Sequence, residues 1–245
     1  MATFALVAGG GHNAWCWERV VPALEQRGHE VVAVELPTGE PGLGLADFAS
    51  AVVDGVNGAD LAGAGDVILV GHSLAGRYLP LAAGRIPGAR MVFLCALIAE
   101  EAAEDEAPPA PTEGERPAGV GRGQIDEQGR LSFSDEDAAA LFYSDCDEET
   151  AAWAVSHLAP QGTWVIREPF PHGGWPVGVR AAYILCKDDL IVPAERAREM
   201  AARAGVEPIE LPGGHSPFLS QPAALVDTLE HLAEFDESWG VKRPR

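Results

Sequence analysis

The sequence predicts an α/β fold, a mostly parallel central sheet flanked by helices. Three observations carry it. Short apolar runs alternate with stretches of helical periodicity along most of the 245 residues. The apolar runs lack in–out alternation, as strands buried on both faces do. Hydrophobic residues make up 47% of the chain, which a packed core needs and a disordered chain lacks.

The elements follow in order. Phe4 to Ala8 reads as a buried strand running into the tight loop Gly9-Gly10-Gly11. Trp17, Val20, Val21 and Leu24 share one helical face, and Gly28 stands where a C-terminal cap belongs. Val31 to Val34 is the next strand. Phe48, Val52, Val53 and Val56 form a helical stripe, and Val67 to Val70 a strand. Gly71-His72-Ser73 leads into a helix at Leu79 to Ala83, followed by a strand from Met91 to Leu97. Strand 182–186, helix 193–203, strand 209–211 and helix 222–235 complete the pattern. Pro193 and Pro222 suit first-turn helix positions.

The alternation breaks between about Ala99 and Val177. Residues 1–98 and 178–245 are therefore expected to form the core, and 99–177 a cap inserted before the strand at 182–186. Residues 100–130 are rich in Glu, Pro, Gly and Ala and include Pro108-Pro109-Ala110-Pro111, so mobility is expected there. Residues 135–158 read as helical.

Composition narrows the partners. Seventeen Lys and Arg against 37 Asp and Glu give a net charge of −20. That balance argues against nucleic acid and against an anionic membrane surface. No stretch approaches the length of a membrane span. Cys16, Cys95, Cys146 and Cys186 form no CxxC pair, so neither a zinc ribbon nor a redox motif is indicated. The N-terminus has no basic segment followed by a long apolar run. Reduced thiols and a cytoplasmic protein are expected. A homodimer is compatible with the sequence, and nothing in it selects one.

The strongest chemical signal is Val70-Gly71-His72-Ser73-Leu74-Ala75-Gly76, preceded by a strand and followed by a helical run. This is the setting of a nucleophile elbow, a strained turn that exposes a serine hydroxyl. Small residues two before and two after the serine let strand and helix approach. Ala75 stands where the second glycine is usual, with Gly76 one place later. A serine nucleophile needs an acid and a histidine, here in the chain order Ser, Asp, His. Asp188-Asp189 follows one strand and His215 the next, both at the sheet edge where ligands of open α/β folds bind. Asp189 is preferred, because Leu190-Ile191-Val192-Pro193 gives the short apolar turn expected after the acid; Asp188 is the alternative. The oxyanion hole should use the amides of Leu74 and Gly10, with Gly11 as the near alternative. His12 in the first loop, and Phe142, Trp153 and Phe218, are candidates to touch substrate, with packing as their alternative role.

Together, residues 6–17, Gly71 to Gly76, Tyr183 to Asp189 and Gly213-Gly214-His215 resemble the α/β-hydrolase superfamily. Within it they look like the branch of small capped esterases that includes plant methyl esterases and hydroxynitrile lyases. The resemblance implies a sheet of about eight strands, a helical cap, a Ser73–Asp189–His215 triad, and no metal or organic cofactor. Ala8 replaces the His that usually begins the family's first loop. The lyases carry a Lys just after the catalytic His and a Thr in the first loop; Ser216 and Gly9 stand there instead, which disfavours a lyase. The expected activity is hydrolysis of a carboxylic ester of a small, largely apolar molecule. The alternatives are a lyase, a carbon–carbon hydrolase or cyclase on the same fold, and a small-molecule binding protein.

Overall fold

The computed structural model describes residues 1–59, 61, 66–102, 122–235 and 239–241. Its central sheet is built from β1 (Thr3–Val7), β2 (Glu30–Val34), β3 (Val67–His72) and β4 (Arg90–Leu94) in the first half of the chain. After the inserted elements β5 (Gln124–Ile125), β6 (Arg130–Ser132) and β7 (Gln161–Gly162), the second half adds β8 (Arg180–Cys186), β9 (Pro208–Leu211) and β10 (Gly240–Val241). The order across the sheet is β10-β8-β4-β3-β1-β2, and β9 pairs with β8. Every pairing is parallel except that of β10 with β8. This makes a seven-stranded sheet among the described residues, against the eight or so implied by resemblance. All residues of β1, β3 and β4 are buried, so their apolar runs show no alternation.

The helices lie close to where the periodicity places them, except that the first begins only at Val21, with Val20 before it and Trp17 in a separate 3-10 turn over Ala14–Trp17. They are α1 (Val21–Gln26), α2 (Leu45–Gly58) and α3 (Leu79–Ala83) in the first half. The second half supplies α7 (Ala194–Ala204), the short α8 (Pro217–Ser220) and α9 (Pro222–Glu234), beyond α4 (Asp135–Phe142), α5 (Glu148–His157) and α6 (Trp164–Arg167) of the inserted segment. α1 packs on α9, and α2 on α3. Phe48, Val52 and Val56 of α2 are buried as one face. Gly28 takes a φ of +83°, the left-handed backbone that a glycine tolerates just past a helix.

The sheet sets the site's position. From β1 the chain goes out to β2 at the edge, then returns to β3 on the other side of β1. The loops after β1 and β3 therefore leave the same sheet edge in opposite directions, opening a crevice there.

Several expectations need correction. The strand expected to run to Leu97 stops at Leu94, because Cys95 has a φ of +47° and turns the chain. The helical stretch 135–158 is two helices, since Tyr143 leaves helical geometry and Asp147 caps a new start by accepting the Thr150 amide at 2.7 Å. The interrupting segment is not purely helical: β5, β6 and β7 form a small antiparallel sheet. Of the segment 100–130 expected to be mobile, residues 103–121 lie outside the described residues, while 124–125 and 130–132 pair as strands. Pro193 is the residue before α7 rather than within its first turn, whereas Pro222 opens α9.

Candidate active site

β3 ends at His72, and the chain turns at once into a 3-10 helix over Ser73–Arg77. Ser73 sits at the corner with a φ of +50°. A left-handed serine costs of order 1–3 kcal/mol and persists where the surroundings over-determine it. Here they do. A Cβ on Gly71 would come within 2.9 Å of the Leu79 side chain, and one on Gly76 within 2.4 Å of the Leu97 carbonyl oxygen. Leu97 also donates its amide to the Ser73 carbonyl at 2.9 Å. The closest approach thus falls at Gly76, one place beyond the small residue expected from the motif, and Ala75 fits in full burial.

Three loops from distant parts of the sequence converge on Ser73. His215 lies in the loop between β9 and α8, and Asp189 in the loop after β8. Ser73 Oγ is 3.0 Å from His215 Nε2. His215 Nδ1 is 2.8 Å from Asp189 Oδ2. A carboxylate only accepts, so Nδ1 carries the proton and Nε2 offers its lone pair to the serine hydroxyl. Asp189 Oδ1 in turn accepts the Ile191 and Val192 amides at 2.8 and 2.9 Å. Burial would raise this carboxyl; the His215 contact and the two amides outweigh it and hold it below the ordinary aspartate value. Asp188 has a different occupation: its Oδ2 accepts the Gly213 amide at 3.3 Å, and its own amide donates to the Gly213 carbonyl at 3.0 Å.

His72 packs its ring 4.7 Å from that of His215 and donates Nε2–H to the His215 carbonyl at 2.9 Å. Burial pushes His72 well below the usual histidine range, so it is neutral.

The first loop lies directly beside the serine. A Cβ on Gly9 would stand 2.8 Å from Ser73 Cβ, and one on Gly10 3.2 Å from Leu74 Cδ2, so Gly10 and Leu74 are neighbours. Leu74 is the second residue of its helix, where amides have no acceptor within the helix. The Gly11 amide is spent on Gln161 Oε1 at 3.2 Å, which removes Gly11 as the alternative donor.

The four residues expected to touch substrate separate. Phe142 lies half-buried with its ring 6.0 Å from that of His215 and 5.8 Å from that of His12. Phe218 is fully buried between Trp17 and His72, a packing residue behind the site rather than part of its open wall. Trp153 packs edge-on against Trp15 at 5.5 Å and borders a surface recess with Glu18, Arg19 and Asp147 whose lining does not include Ser73. His12 is buried with both ring nitrogens engaged: Nδ1 donates to the Gly10 carbonyl at 2.9 Å, and Nε2 accepts the Tyr143 hydroxyl at 2.8 Å. Neither nitrogen is left for a substrate. Burial lowers its pKa to about 4.

Sequence reading missed Tyr143, Asp145 and Gln161. All three reach the Gly9–His12 and Gly213–His215 loops from the inserted segment, and no spacing along the chain announces contacts between residues so far apart.

Comparison with known proteins identifies the family. The model of the "Alpha/beta hydrolase family" matches residues 4–228. A pyrethroid hydrolase of Sphingobium wenxiniae is 27% identical over 94% of this chain and 86% of that protein. A norfluorocurarine synthase of Strychnos is also 27% identical, over 94% of this chain and 95% of its own. Among solved structures, a methylesterase from Arabidopsis superposes with a TM-score of 0.74 at 21% identity, covering 96% of this chain and all of that one. With that family pattern running from the first strand into the last long helix, over the elbow, the acid loop and the histidine loop alike, the chain belongs to the alpha/beta hydrolase family.

Proposed function

We propose that this protein is a serine hydrolase that cleaves a carboxylic ester of a small, largely apolar molecule through an acyl-enzyme on Ser73. The observation that carries the reading is the hydrogen-bonded row Ser73–His215–Asp189 on a strained elbow. A relative named as a pyrethroid hydrolase supports hydrolysis.

In this reading Ser73 Oγ attacks the ester carbonyl carbon while His215 Nε2 takes its proton. The oxygen that becomes negative is met by the amides of Leu74 and Gly10. The tetrahedral adduct collapses, and His215 returns the proton to the leaving alcohol. Water then enters, gives a proton to the same nitrogen and attacks the acyl carbon; this second adduct collapses by breaking its bond to Ser73 Oγ, His215 returns the proton to Oγ, and the acid leaves. Asp189 fixes the imidazole tautomer and balances the imidazolium charge. Phe142 is the residue we assign to the apolar wall beside His215. The core and cap follow the division at 98/99 and 177/178. The chain has four free cysteines, which suits a reducing compartment such as the cytoplasm.

The test is trapping. Wild-type protein quenched during turnover of p-nitrophenyl acetate should carry an acetyl group on the peptide containing Ser73, and Ser73→Ala should carry none. Turnover that survives Ser73→Ala would move the chain to a different use of the same fold, such as that of its synthase relatives.

A further inference from the structure

The short turn joining α4 to α5 touches both halves of the site. Tyr143, the residue after α4, is buried, and its hydroxyl donates to His12 Nε2 at 2.8 Å. His12 passes this on: Nδ1 donates to the Gly10 carbonyl at 2.9 Å, and its amide donates to the Gly9 carbonyl at 3.1 Å. The Gly9 carbonyl and the Gly10 N–H belong to one planar peptide, so holding the first aims the second. Two residues further on, Asp145 Oδ2 accepts the amide of Gly214, the residue before His215, at 2.8 Å. The fit is close. A Cβ on Gly213 would come within 2.4 Å of Asp145 Oδ2, and one on Gly214 within 2.8 Å of Oδ1 and 3.0 Å of Ser144 Oγ. Glycines at 213 and 214 therefore admit the carboxylate.

We infer that residues 143–145 form a crossbar that sets the spacing between the oxyanion loop and the His215 loop, with Tyr143 and Asp145 as positioning residues. This rests on the reading of Ser73, His215 and Gly10 as the reacting groups. Those groups must sit on opposite sides of one carbonyl, His215 serving the serine and the leaving alcohol, Gly10 the oxyanion. The two loops lie far apart in the sequence, 131 residues from His12 to Tyr143 and 69 from Asp145 to Gly214, and the crossbar joins them through one short turn. Misplacing a reacting group by about 1 Å costs up to about a hundredfold in rate.

The substitutions separate positioning from folding and from charge. Asp145 is exposed, so Asp145→Ala removes the acceptor for the Gly214 amide without taking a side chain out of the core. Asp145→Asn keeps an acceptor for the Gly214 amide and drops the charge. Tyr143→Phe keeps the ring and removes only the donor. On p-nitrophenyl butyrate, Asp145→Ala and Tyr143→Phe should each lower kcat about tenfold with KM within about twofold. Asp145→Asn should stay within about threefold of wild type. Wild-type kcat in Asp145→Ala and Tyr143→Phe would overturn the crossbar. So would a loss in Asp145→Asn as large as in Asp145→Ala, because the effect would then be charge alone. Labelling of Ser73 by a fluorophosphonate and NMR of the Gly214 amide and the His215 ring are measured on the same variants. Wild-type protein that neither turns over the ester nor labels would sink the esterase reading. The crossbar would then be decided by NMR: resonances displaced in Asp145→Ala and restored in Asp145→Asn uphold it, and unmoved resonances in Asp145→Ala overturn it.

Discussion

Asp189 divides its carboxylate between two tasks: Oδ2 meets the imidazole, and Oδ1 gathers the Ile191 and Val192 amides. Asp188, one residue away, only braces Gly213. The neighbours should therefore respond differently to the same change. Asp189→Asn leaves the shape but offers His215 the wrong hydrogen-bonding partner, and kcat on a p-nitrophenyl ester should fall by about 10³–10⁴. Asp188→Asn should cost less than about tenfold. Equal losses in steady-state kinetics would return the acid role to either residue. The preference for Asp189 came from the short apolar turn that follows it, and that turn is what delivers the two amides. A second residue-scale consequence concerns pH. His12 is held neutral by burial, with its pKa lowered from 6.5 to about 4. In the unfolded chain it binds a proton below about pH 6.5, and in the folded protein only near 4. The unfolded state thus takes up more protons in that window, and stability falls as pH drops from about 6.5 to about 4, by of order 3 kcal/mol from this residue. His72 acts in the same direction. Urea unfolding between pH 7.5 and 4.5 should show this slope, and His12→Gln should flatten part of it. An unchanged slope in the variant would remove His12 as a source.

At the scale of elements, the elbow shows what short-range pattern can and cannot say. A strand, three small residues and a helix predict the turn and its serine. They do not say which small residue is pressed hardest. Gly76 is, against the Leu97 carbonyl at 2.4 Å from its notional Cβ, while Ala75 has room for its methyl. Gly76→Ala should therefore destabilise the protein by about 2 kcal/mol or more, because backbone rather than a mobile side chain stands in the way. Gly28→Ala meets open space and bears only the cost of left-handed backbone, about 1 kcal/mol. Urea midpoints that rank the two in the other order would contradict the close approach at Gly76. The helices and strands of the core were legible because burial leaves a pattern in the sequence, a helical period where one face is covered and an unbroken apolar run where two are. β5, β6 and β7 were not, since two- and three-residue strands are too short to have one.

Over the whole molecule, the sheet makes one site out of loops that begin near residues 9, 73, 189 and 215. Their order along the chain and their places at strand ends were readable, because a parallel sheet puts all such ends on one edge. What lies over them was not. Gln161 reaches Gly11 across 150 residues and Tyr143 reaches His12 across 131, and a hydrogen bond of that span leaves no local mark. The same limit explains Phe218. As an aromatic residue it is a candidate for the pocket wall, but α8 turns its ring inward between Trp17 and His72. The proposed ester hydrolysis rests on Ser73. Nitrophenol release from p-nitrophenyl esters, acetate to octanoate, should be measured for wild type and Ser73→Ala at equal concentration. Release by wild type, with a chain-length optimum, and a fall of at least about 10³-fold in the variant is the predicted result. Equal release by the two proteins would contradict it.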